Sequence, residues 1–117
     1  MAETQTENVL MHHLGSFGAG DIEGLLSDYT DDSTIITPDG VFRGLSKIKG
    51  LFEKFLSEII PVGSDFVLSK KIIEDDIAYI VWSAESVNYK IPLGTDTFIV
   101  RDGKIVTQTV GMLMEEK

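Results

Sequence analysis

Two side chains in this sequence have the types needed to move a proton in an apolar setting, His13 and Asp96. His13 falls with Val9, Leu10, Leu14 and Phe17 on one face at helical spacing, so its imidazole is expected to be at least partly buried. Asp96 precedes Phe98 in a run of strand character expected to face the helices. An imidazole beside a carboxylate gains a defined tautomer and a raised pKa, which makes a competent acid/base pair. The same two residues also fit a plainer arrangement, a core histidine hydrogen-bonded to a structural aspartate. His12 lies one position off the stripe and is expected to point outward.

Other chemistries lack their residues. There are no cysteines, so disulfides, thiolate metal sites and cysteine nucleophiles are excluded. Adjacent helical side chains such as His12 and His13 do not converge, and no His-x-x-x-His or EF-hand pattern is present, so no metal is expected. Gly15-x-x-Gly18-x-Gly20 has neither the spacing nor the flanking strand of a phosphate loop. There is no Gly-x-Ser-x-Gly nucleophile elbow.

The elements that must position His13 and Asp96 are legible in the pattern. Residues 1 to 6 read as a frayed tail, and Asn8 as the cap of a first helix running to about Phe17. Asp21 reads as the cap of a second, with Ile22, Leu25, Leu26 and Tyr29 on its apolar face. Thr34 to Thr37 is a short strand, Pro38-Asp39-Gly40 a turn, and Val41-Phe42 the return. A third helix starts near Ser46, carries Ile48, Leu51, Phe52, Phe55, Leu56 and Ile59 as its stripe, and stops at Pro61. From Asp65 the period becomes that of strands, with runs at 66–74, 77–87, 93–101 and 104–114 and turn signals at Asp75-Asp76 and Asp102-Gly103. Helices first and long strands afterwards argue an α+β domain with the helices packed on one face of a strongly curved antiparallel or mixed sheet.

A length of 117 residues suits one domain, 1–117, large enough for a true core. Nineteen acidic against ten basic side chains give a net charge of −9. That field repels phosphate backbones and anionic bilayers, so neither nucleic acid nor membrane is an expected partner. No apolar run approaches the roughly 20 residues of a membrane span. The polar, acidic start lacks the blocks of a signal peptide, and with the absence of cysteine the expectation is a cytoplasmic protein.

Gly20-Asp21, Leu25-Leu26, Tyr29, Asp31-Asp32, Pro38, Gly40, Gly44 and Ile48 resemble the opening motif of the NTF2-like superfamily, nearest to its SnoaL-like and ketosteroid isomerase-like branch. The resemblance covers nearly the whole chain and implies a cone-shaped α+β domain around an apolar pocket. Asp31 and Asp32 fit solvated turn positions rather than a site. In ketosteroid isomerases the pocket holds a catalytic Asp, a Tyr and a second, protonated Asp, a case of pKa tuning by environment. Matched by motif, the base falls at Thr37, which cannot abstract a proton near neutral pH. The Tyr falls at His13 and the second Asp at Asp96. Ketosteroid isomerase activity proper is therefore not expected, whereas the SnoaL-like branch, with a strand Asp and a His in comparable parts, favours the pair.

Phe17, Tyr29, Thr37, Phe52, Phe55, Trp82, Tyr89, Phe98 and Met112 are the candidates for lining that pocket, although most such residues are ordinary core. Two functions stay open. One is cofactor-free acid/base chemistry on a small hydrophobic carbonyl compound, of isomerase, cyclase or dehydratase type, with His13 moving the proton and Asp96 orienting it or stabilising an oxyanion. The other is a non-catalytic domain that binds a small apolar molecule or serves dimerisation. A homodimer through the open face of the sheet is expected in either case, because that face alternates in Val, Ile, Thr and Met.

Overall fold

The structure is a computed structural model that describes residues 2–117. Helix α1, Ala2–Ala19, begins well before the expected cap. Thr6 is buried, and its hydroxyl donates to the Asp75 carbonyl at 2.7 Å. The Glu3 carboxylate accepts from the Asp75 backbone N–H. A hairpin far along the chain therefore holds residues 2–6 in helix, and Asn8 sits exposed within it rather than capping it. Met1, the first residue of the expected tail, lies outside the described residues.

Helix α2, Ile22–Leu26, starts where Asp21 accepts the Gly24 N–H at 3.0 Å. Helix α3, Leu45–Lys54, runs on into one π-helical turn, Phe55–Ile59, closed by Ile60 N–H to the Phe55 carbonyl at 2.7 Å. The extra residue in that turn seats Ile59 and Ile60 together in the core before Pro61 ends the helix. Gly44 opens α3 at φ 87°, a conformation that disfavours any side chain, while Asp31 accepts the Leu45 N–H.

Six strands follow the order β2-β1-β6-β5-β4-β3, with β1 Thr34–Thr37, β2 Gly40–Arg43, β3 Asp65–Glu74, β4 Ile77–Glu85, β5 Tyr89–Arg101 and β6 Lys104–Glu116. β1 lies parallel to β6 and every other pairing is antiparallel, so the sheet is mixed. Bulges interrupt the β3/β4, β4/β5 and β5/β6 ladders, which is how a long sheet acquires its curvature. Asp75 and the Asp102-Gly103 pair make the turns with positive φ.

The concave face of the sheet takes the helices. Leu10, Leu25, Ile35, Ile48, Ile80, Phe98 and Ile105 are almost wholly buried there. Each such side chain contributes roughly 1.5–3 kcal/mol relative to exposure. On the opposite face, which nothing covers among the described residues, Val67, Ile72, Ile77, Tyr79, Leu93 and Leu113 are exposed.

Candidate active site

Strand alternation and one bulge decide which side chains meet under α1. On β4, Ala78, Ile80, Trp82 and Ala84 point inward; on β5, Gly94, Asp96, Phe98 and Val100 do. Trp82 pairs with Gly94, and a Cβ built on Gly94 would lie 2.2 Å from the indole. Glycine there lets the ring lie across the neighbouring strand. Its Nε1–H then donates to Asp96 Oδ1 at 3.0 Å. Phe66 of β3 stacks on the indole from the other side, with centroids 5.6 Å apart.

Asp96 is 8% exposed and accepts a second hydrogen bond, from Gln108 Nε2 on β6, at 3.1 Å to Oδ2. Gln108 Oε1 accepts the Tyr29 hydroxyl. The Tyr29 oxygen is 3.4 Å from His13 Nδ1. One continuous chain therefore runs Trp82–Asp96–Gln108–Tyr29–His13. No buried polar side-chain atom among the described residues lacks a partner. His13 itself is 4% exposed, its ring set against Phe98 at 5.1 Å and Phe52 at 5.8 Å.

His13 and Asp96 both border an apolar cavity of about 130 Å3. Phe17, Phe52, Phe55, Phe66 and Trp82 supply its aromatic wall, and the exposed Val62 and Gly63 also line it. A dry apolar cavity of roughly 150 Å3 holds a benzene-sized guest. The space here is that of a single ring.

Burial sets the electrostatics. Desolvation holds the Asp96 carboxyl up at about 6 despite the hydrogen bonds from Trp82 and Gln108 that favour its ionised form. Desolvation, reinforced by the charge of His12, holds the His13 imidazole down at about 4. Tyr29 is raised well above the usual phenol range by burial, then by the carboxylates of Asp96 and Asp28. The expected direct imidazole–carboxylate pair with a raised histidine is thus corrected. Gln108 and Tyr29 stand between the two groups, and no carboxylate among the described residues offsets the desolvation of His13. His12 is exposed as expected, and its Nδ1 lies 2.8 Å from Asp28 Oδ2. Burial raises Asp28, and the His12 contact acts against that shift.

Of the expected lining residues, Phe17, Phe52, Phe55 and Trp82 border the cavity and five do not. Tyr29 lies behind the wall as a link of the chain, and Phe98 is buried beneath the His13 ring. Thr37 ends β1 away from the cavity, and its hydroxyl oxygen accepts the Asp39 N–H at 3.0 Å. Tyr89 borders a separate shallow depression with Glu58, Asn88, Glu116 and Lys117. Met112 packs half-buried against the core. Gln108 was not anticipated from the sequence. The available signal was a lone amide in register with Val110 and Met112 on the inward side of a strand. No group of three or more His, Cys, Asp or Glu among the described residues is placed to hold a metal. Among the described residues, no helix is long and apolar enough to cross a membrane.

Solved structures share this architecture across almost their whole length. A candidate ketosteroid isomerase from Kribbella flavida superposes with a TM-score of 0.82 at 11% identity, covering 100% of this chain and 84% of that one. An NTF2-like protein of unknown function from Mesorhizobium loti gives 0.81 at 21% identity, over 97% and 94%. An LEH-like epoxide hydrolase from M. tuberculosis gives 0.76 at 13%, over 97% and 86%. At such identities the likeness establishes the NTF2-like fold alone. No curated protein matches the sequence significantly. Membership rests instead on the sequence pattern itself, which fits the SnoaL-like domain from residue 11 in α1 to residue 108 in β6, and the chain belongs to that family.

Proposed function

We propose that this protein is a cofactor-independent acid/base catalyst acting on a small, neutral carbonyl-type compound about one ring in size. One observation carries the reading: His13 and Asp96 border the same apolar cavity with their titrations pushed in opposite directions. Between about pH 4 and about pH 6 the imidazole is an unprotonated base while the carboxyl retains its proton. His13 would then remove a proton α to the carbonyl, and Asp96 would donate to the developing oxyanion. A guest that expels water from the cavity desolvates Asp96 further and extends this window upward.

Hydrogen–deuterium exchange at the α-carbon of single-ring ketones and enones, followed by NMR, tests the proposal. Exchange above the buffer rate is expected, highest between about pH 4 and 6 and lowered roughly 10²–10⁴-fold in His13→Gln. Exchange at the buffer rate across the series would overturn it.

A second reading is favoured by Thr37, the residue at the position that the ketosteroid isomerase resemblance reserves for the base. Its hydroxyl is tied to the β1–β2 turn. A domain that retains an apolar ring without exchanging its protons would bear that reading out.

A further inference from the structure

The chain from Trp82 to His13 has a direction, and the count of protons fixes it. The indole N–H can only donate, and Asp96 accepts at both of its contacts, whether ionised near neutral pH or, as in the catalytic reading above, holding its proton toward the cavity it borders. Asp96 therefore receives from Trp82 at Oδ1 and from the Gln108 amide N–H at Oδ2. That leaves Gln108 Oε1 toward Tyr29, whose one O–H donates to it. With its proton committed there, the Tyr29 oxygen can only accept from the imidazole, so His13 Nδ1 carries the ring hydrogen. His13 Nε2 makes no hydrogen bond among the described residues, yet no buried polar atom among them is orphaned. Nε2 is thus open to the cavity that His13 borders.

We propose that Gln108 is the positioning residue of this site, holding His13 in the Nδ1–H tautomer so that the Nε2 lone pair is presented to the cavity. The group that meets Nε2 must then be a donor, namely a hydroxyl, an N–H or an acidic C–H. A bare anion meets no compensation, because no Lys or Arg borders the cavity among the described residues. The inference names the basic atom of the catalytic reading above and depends on that reading for its part in turnover. The tautomer does not.

The test is long-range proton–nitrogen NMR of the labelled protein near neutral pH. The chain has two histidines, so a His12→Asn variant assigns the signals of His13. The parent is expected to show Nδ1 protonated and Nε2 bare. Gln108→Met keeps the length of the side chain but removes donor and acceptor. Tyr29 then turns its O–H to Nδ1, and the two nitrogens exchange roles. Asp96→Asn gives the same reversal through a turned-over Gln108 amide, and it carries the test if the methionine variant unfolds. A parent with Nε2 protonated, or Nδ1 still protonated in the folded variants, overturns the proposal. A parent with the expected tautomer that exchanges no ketone proton would sink the catalytic reading and leave this one standing. Ketone exchange with the opposite tautomer would do the reverse.

Discussion

The two buried titrations should cancel in the stability of the parent and reappear, with opposite signs, when either group is removed. The folded Asp96 carboxyl titrates at about 6 against 3.8 unperturbed. Its stabilising effect is complete below 3.8 and is lost as the pH rises through 6, because the folded state holds a proton that the unfolded chain has released. That difference corresponds to about 3 kcal/mol. The folded imidazole titrates at about 4 against 6.5. Its effect is complete above 6.5 and is lost as the pH falls through 4, again about 3 kcal/mol. Across the window from pH 4 to 6 one slope falls with pH and the other rises, so the parent shows little net dependence from this pair. Urea unfolding followed by circular dichroism between pH 4 and 7 reads the terms separately. The stability of Asp96→Asn relative to the parent should climb by about 3 kcal/mol over that range, and that of His13→Gln should fall by a similar amount. Taking each variant against the parent removes what is common to all, including Asp28, whose carboxyl is also raised by burial. Two differences flat to within about 1 kcal/mol would show that neither group is held away from its ordinary range, and the acid/base window would go with them.

Three further outcomes follow from named contacts. Gly94→Ala places a methyl 2.2 Å from the Trp82 ring and should cost about 1–3 kcal/mol in urea titration while displacing the indole from Asp96; an unchanged midpoint refutes the close approach. Ser33 is fully buried, and its hydroxyl both donates to the Ile105 carbonyl at 2.6 Å and accepts from the Thr30 N–H, so Ser33→Ala should cost about 1–3 kcal/mol. A second copy covering the exposed sheet face should make the protein a dimer by light scattering at micromolar concentration, with Tyr79→Glu shifting it to monomer; a monomeric parent refutes that assembly.

Much of this architecture could be read from the chain because its signals are local. Asp21 caps α2 as a short polar side chain ahead of an apolar turn does. Asp102-Gly103 takes the positive φ that its composition favours. The burial of His13 follows from helical period and that of Asp96 from strand alternation. What escaped was non-local. Residues 2–6 carry little helical pattern and are held by Asp75 across the fold. The parallel pairing of β1 with β6 joins segments some seventy residues apart, and no period announces it. The gap between His13 and Asp96 depends on Phe98 filling the space beneath the imidazole and on a bulge between Ile99 and Val100 that adjusts the register of β6. Those same features admit Gln108 and turn an expected contact into a relay.

The single tryptophan is part of the cavity wall, wedged between Phe66 and the bare backbone of Gly94. Its fluorescence is therefore a built-in gauge of occupancy. A guest replacing solvent against that ring changes the emission of unlabelled protein, and metabolite libraries can be screened by eye of a fluorimeter before any reaction has been guessed.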